Sequence, residues 1–190
     1  MTELDIVASV AGWGDGVYAP TLLEDALRVL ESDLSSREVN ILWCAAMQRA
    51  YRPDFFGVDA RVWLGRIVEV CAERIRQDDS SFTLSPTVPA PAGNLTGEVL
   101  EELRSVAPAV RSVAEGHEHY GVPDVVRTVE KVVVHVDPDL GFRMLLRVLK
   151  AYQIPVEASR VERYRVLGER FGYDECVVDD GGINLGPDPA

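Results

Sequence analysis

The densest set of side chains able to do chemistry is His117-Glu118-His119, with Glu115 just before it and Tyr120 just after. Neutral imidazoles and a carboxylate are suitable donors for zinc or iron. The spacing argues for something plainer. Two histidines one residue apart share a face only when the backbone is extended, and this pair falls between Gly116 and Gly121, where the pattern reads as a helix-to-helix loop. No HExxH sequence occurs, and His135 belongs to the polar face of a later helix. The expectation is an exposed polar loop with no metal and no cofactor. His117 and His119 remain the residues on which a metal-dependent enzyme would have to be built.

Gly12-Trp13-Gly14-Asp15-Gly16 follows an apolar run, Leu4 to Ala11, and precedes a helix, an order that invites a nucleotide-loop reading. Counted from Gly12, the third glycine of a dinucleotide fingerprint would stand where the chain has Val17. Counted from Gly14 it falls on Ala19, with Pro20 directly after, and no GK[ST] follows for a phosphate loop. A flexible turn is expected here. No GxSxG is present, and a nucleophile paired with histidine would have to use one of only three histidines.

Cys44, Cys71 and Cys176 lie far apart and form no CxxC, zinc set or complete disulfide framework. The first two sit in apolar helical surroundings and read as small buried hydrophobes. Cys176 is followed by Val177-Val178 beside an acidic tail, where neighbouring carboxylates disfavour a thiolate. The adjacent acids Glu101-Glu102, Asp78-Asp79 and Asp179-Asp180 read as solvated surface. No catalytic residue is assigned.

The charge balance excludes more than the motifs do. Nineteen Lys and Arg stand against 31 Asp and Glu, a net charge of −12 with a pI near 4.7. Such a surface repels nucleic acid phosphates and anionic membranes unless a basic patch is segregated, and none is visible. No stretch approaches the roughly 20 apolar residues needed to cross a bilayer, so the expected address is the cytoplasm. The segment 174–190 carries Asp174, Glu175, Asp179, Asp180 and Asp188 with no base. The expected partner is a basic protein.

The elements that position these groups show the 3.6-residue period. Thr21–Glu24, Ser35–Glu38 and Ser159–Glu162 each fit a capping box and mark three helix starts. Leu64, Val68, Cys71, Ala72 and Ile75 define a helix over about 58–77. Val99 to Ala114 define another, with a kink or break expected at Pro108. Val125, Val126, Val129, Val132, Val133 and Val136 keep the helical spacing despite their β-branching. Asp137-Pro138 reads as an N-cap with proline at the first helical position, opening a helix to Tyr152. Ser159 to Phe171 forms the last one, and Val177-Val178 is a candidate short strand. Residues 78–96, with Pro86, Pro89 and Pro91, read as a linker or strap.

These readings give an all-α protein of about seven helices, in one bundle or two packed sub-bundles: 1–77, a proline-rich 78–96, 97–173, and an acidic tail 174–190. Trp43, Tyr51, Trp63, Tyr164 and Phe171 fall on apolar stripes and belong to the core. Phe55-Phe56, beside Pro53 in a short connection, is the candidate docking anchor. With Asp174, Glu175, Asp179 and Asp180 it forms the expected partner-binding set. The function that fits is non-catalytic binding of a basic protein, in the manner of an immunity or antitoxin-type inhibitor of a toxin nuclease. The alternatives are the metal-dependent enzyme and a helical scaffold or regulatory domain.

Overall fold

The structure, a computed structural model, describes residues 3–48, 51–86, 95–173, 175–178 and 180–186. The fold is all-α. Among the described residues are eight α-helices of ten residues or more, plus a four-residue helical turn. Backbone proximity divides the chain into two compact units, Met1–Trp43 with Tyr51–Pro89, and Cys44–Ala50 with Ala90–Ala190.

The first unit holds α1 (Glu3–Gly12), α2 (Ala19–Glu31), most of α3 (Ser36–Ala46) and α4 (Ala60–Asp78). α4 is the centre of this unit, with α1 and α2 packed on it. Its buried Trp63, Ile67, Cys71 and Ala72 follow the helical period. Asp59 caps it, accepting from the N–H groups of Arg61 (2.8 Å) and Val62 (3.3 Å). Arg61 ties down the far end of α2: its guanidinium donates to the carbonyl of Leu30 in the last turn and, at 2.7 Å, to that of Leu34 in the connection that follows.

One of the three capping boxes forms as read. The Ser35 N–H donates to Glu38 Oε2 at 2.8 Å and the Glu38 N–H to Ser35 Oγ at 3.3 Å. The other two do not form. α2 begins at Ala19, because Pro20 has its φ pre-set for the first turn and takes that place itself. Glu24 then accepts from Arg28 Nη2 at 2.6 Å instead. α8 begins at Ala158 with Glu157 at the cap position, and Glu162 pairs with Arg165 at 2.8 Å. The run Leu4 to Ala11 is helical, with Ala11 buried.

The second unit holds α5 (Leu95–Val110), α6 (Val125–His135), α7 (Pro138–Ala151), α8 (Ala158–Phe171) and the turn α9 (Glu175–Val178). The valine-rich run is α6, and Asp137 caps α7 by accepting from Asp139 and Leu140 N–H groups. Gly141 permits the approach of α6 and α7: a Cβ there would lie 3.0 Å from Val133 Cα. α5 runs through Pro108, and the next turn, Arg111–Glu115, widens to a π-helix closed by the Gly116 N–H on Arg111 O at 3.0 Å. The lost N–H and the ring of Pro108 bear on the carbonyl four residues earlier, where α5 stays helical, so the irregular turn lies after the proline and not at it.

The short strand expected at Val177-Val178 is helical. Val178 is buried against α8, where a Cβ on Gly168 would meet its Cγ2 at 3.0 Å, so tertiary packing overrides β-propensity. Among the described residues extended pairing occurs further on, as one parallel bridge between Val156 and Leu185.

Candidate functional site

Phe55 and Phe56 are 75% and 66% exposed, on a 3-10 turn spanning Pro53–Phe56. The local sequence fixes that turn at both ends. Arg52 is extended, as a residue before proline must be, and Pro53 is buried. Gly57 closes the turn with φ +67°, a left-handed conformation natural to glycine, and its N–H donates to Asp54 O at 3.1 Å.

The rings are held from beneath. Phe56 stacks on Tyr51 (centroids 5.6 Å apart), Tyr51 leans on Trp63 (4.8 Å), and Trp63 meets the edge of Trp43 (5.6 Å). Trp43 Nε1 donates to Tyr51 O at 3.1 Å. The Arg52 guanidinium lies 4.4 Å from the Phe55 ring centroid while its Nε donates to Asp54 Oδ1 at 3.0 Å. The hydrogen bond from Arg52 holds the Asp54 carboxyl below its ordinary range, so the anchor has an ionised carboxylate at its edge. Two aromatic faces are therefore presented to solvent on a support that leaves them little freedom.

The acidic members of the expected set stand differently. Asp174 and Asp179 lie outside the described residues, as does the side chain of Glu175, which opens α9. Asp180 pairs with Lys150 at 2.8 Å and accepts from the Gly182 N–H at 2.9 Å. Burial opposes its charge, and these two partners outweigh burial and leave the carboxyl below its ordinary value.

His117 and His119 lie on the loop after the π turn, both exposed. His117 Nδ1 accepts from the N–H groups of His119 (3.3 Å) and Tyr120 (3.2 Å). An imidazole accepting at Nδ1 carries its proton on Nε2, which leaves that nitrogen without a lone pair for a metal in this arrangement. Among the described residues no three His, Cys, Asp or Glu side chains converge as metal ligands.

The glycine-rich segment is a strained turn. Gly14, Asp15 and Gly16 have φ of 56°, 58° and 88°, and Arg74 fills the space at Gly16 while donating to Asp15 O at 2.6 Å. A cation occupies the hollow where a phosphate would sit, and a helix stands where a dinucleotide fold needs a strand. Trp13, Val17 and Tyr18 are exposed on this turn, a second apolar surface that sequence reasoning passed over.

Sequence reasoning also placed Glu102 on the solvated surface, and the structure corrects this. Glu102 is 8% exposed, taking Arg160 Nη1 and Arg163 Nε at 2.8 Å each. The signal was its register, three residues after Val99 and four before Val106 on the buried stripe of α5. It lines a cleft of about 590 Å³ between α5 and α8, together with Glu98, Glu101, Ser105 and Val166. Glu98 and Glu162 of the same cleft pair with Arg170 and Arg165. The buried Tyr164 phenol has its pKa raised, by burial first and by Glu102 second. These groups balance one another, which is what a structural ion network looks like.

Comparison with protein-family models, with curated proteins and with solved structures finds no match to this chain. The reading of function therefore rests on the chain's own residues.

Proposed function

We propose that this chain is a non-catalytic protein-binding protein: an acidic, cytoplasmic helical inhibitor of the immunity or antitoxin type that masks a basic partner such as a toxin nuclease. The observation that carries the reading is the exposure of two adjacent phenylalanines on a fixed turn, 75% at Phe55 and 66% at Phe56. A single exposed apolar residue is ordinary. Two on a turn pinned by Pro53 and Gly57 and backed by Tyr51 are what a preorganised anchor requires, because the ordering cost of binding is already met.

Burying each ring in a partner contributes about 2 kcal/mol, and aromatic residues dominate the energetics of interfaces. The charge of −12 supplies the second requirement, since it speeds encounter with a basic surface and discourages nucleic acid and anionic membranes. No helix among the described residues is long and apolar enough to cross a membrane.

The experiment is site-directed photo-crosslinking. A benzophenone amino acid at position 55, expressed in the cells that make the protein, should yield one dominant adduct with a strongly basic protein, identified by mass spectrometry. Adducts with acidic proteins alone, or none above those of the same probe placed at Glu69 on α4, would contradict the reading.

A further inference from the structure

The end of α7 and the turn that leads to α8 meet the segment 180–186 through several polar groups, with one further contact to α9. Lys150 Nζ donates to Val177 O at 3.0 Å and pairs with Asp180 at 2.8 Å. Gln153 accepts at its carbonyl from Asn184 Nδ2 at 2.7 Å, and its side-chain amide donates to Lys150 O at 2.8 Å and Gly182 O at 3.3 Å. The Val156 N–H donates to Asn184 O at 2.8 Å, and Val156 O accepts from the Gly186 N–H at 2.9 Å, one rung of a parallel ladder.

Two further observations mark this turn as a built site. Gln153 has φ +50°, a left-handed conformation that a non-glycine residue keeps only where its surroundings over-determine it. The segment also approaches through glycines. A Cβ on Gly182 would lie 3.2 Å from Lys150 Cδ, and one on Gly186 would lie 3.1 Å from Pro155 Cβ. Of the two large apolar residues of the segment, Leu185 is 65% exposed and Ile183 is partly buried. A contact held largely by hydrogen bonds, with one apolar side chain covered, opens at lower cost than the core.

The geometry points to a docking site for an extended peptide at Lys150–Val156, occupied in cis by the chain's own residues 180–186, which form a releasable strap. The recognised chemistry is a carboxylate that meets Lys150, an asparagine four residues later whose amide meets the Gln153 carbonyl, and glycine where the backbone passes Lys150 and Pro155. The inference stands apart from the docking role of Phe55 and Phe56 and survives its failure.

The test uses the full chain. Hydrogen exchange compares the native protein with the Asn184→Ala, Asp180→Asn double variant. The Val156 and Gly186 amides should exchange at least about tenfold faster in the variant, with the Ile154 amide, bonded to Leu149 O at 3.0 Å, and the core amides of α8 unchanged. A labelled octapeptide with the sequence of residues 179–186 is then added to each protein. A short tether gives the native strap an effective concentration in the mM range, so the peptide should bind the variant about tenfold more tightly than the native chain. Unchanged exchange, acceleration spread evenly over α7 and α8, or equal or absent peptide binding to both proteins would each overturn the proposal.

Discussion

The ring of Phe56 stacks on that of Tyr51 with planes 18° from parallel, so an exposed residue terminates an aromatic series whose inner member, Trp63, is 2% exposed. Stability and binding separate between that series and Phe55, the exposed ring next to it. Phe55→Ala is expected to change stability by no more than about 0.5 kcal/mol, whereas Trp63→Ala should cost about 3–5 kcal/mol. Urea denaturation of the two variants decides it. A Phe55 variant as unstable as the Trp63 variant would mean that the exposed ring is structural.

The capping boxes supply a matched contrast. Ser35→Ala removes a formed reciprocal cap and should cost about 1 kcal/mol. Thr21→Ala changes a residue inside the first turn of α2, where no such cap exists, and should move stability by less than about 0.5 kcal/mol. Thermal melts of the two variants side by side check this.

That contrast also shows how far the chain could be read in advance. Helical periodicity located α4, α6 and α7 because their buried residues repeat cleanly, and for α7 the cap Asp137 has a side-chain acceptor as well. It misplaced the starts of α2, where Pro20 takes the first turn, and of α8, where Glu157 stands at the cap position without a side-chain cap bond. The segment around Val178 eluded local rules because its packing partner, Gly168, is distant in sequence. For the candidate site, the exposure of Phe55 and Phe56 was legible from Pro53 and the shortness of the connection. The aromatic support beneath them was not, since it needs Tyr51 and Trp63 in one place. Nor was the use of Asp180 on Lys150, a contact across 30 residues.

Glu101 and Glu102 are neighbours with opposite fates. Glu102→Ala leaves Arg160, largely buried, without its carboxylate and should cost about 3 kcal/mol. Arg163→Ala removes a half-exposed partner and should cost less than about 1 kcal/mol, and Glu101→Ala less than about 0.5 kcal/mol. Equal costs for the two glutamates would contradict the network.

The pH dependence of the α4 cap has a definite sign. The Asp59 carboxyl is held below its ordinary value, first by the Ser36 hydroxyl and then by the N–H groups of Arg61 and Val62. The folded state therefore binds this proton less tightly than the unfolded state. Its contribution is fully present above the unfolded value, about 3.9, and is lost as pH falls through the lower folded value. The stability difference between the native chain and Asp59→Asn should accordingly shrink as pH falls from about 6 to about 3. A difference independent of pH would refute the assignment.

Burial pushes the Cys71 thiol up to about 11, and Cys44 is buried as well. Neither should react with a neutral-pH thiol reagent on the timescale of the denatured control. Rapid labelling of Cys71 in the folded protein, mapped by peptide mass spectrometry, would show that α4 opens readily.

The central claim is that Phe55 and Phe56 anchor a basic partner. The most direct measurement is the association and dissociation kinetics of the native chain and of the Phe55→Ala, Phe56→Ala double variant with the partner captured by crosslinking, at low and high salt. Loss of the anchor should raise the dissociation rate at least roughly 30-fold, the equivalent of about 2 kcal/mol for one ring, and up to about 1,000-fold where both rings are fully buried. The association rate should fall with salt to the same degree in both proteins, because the charge that steers encounter is unchanged. Unaltered dissociation in the double variant, or association that does not respond to salt, would contradict the account.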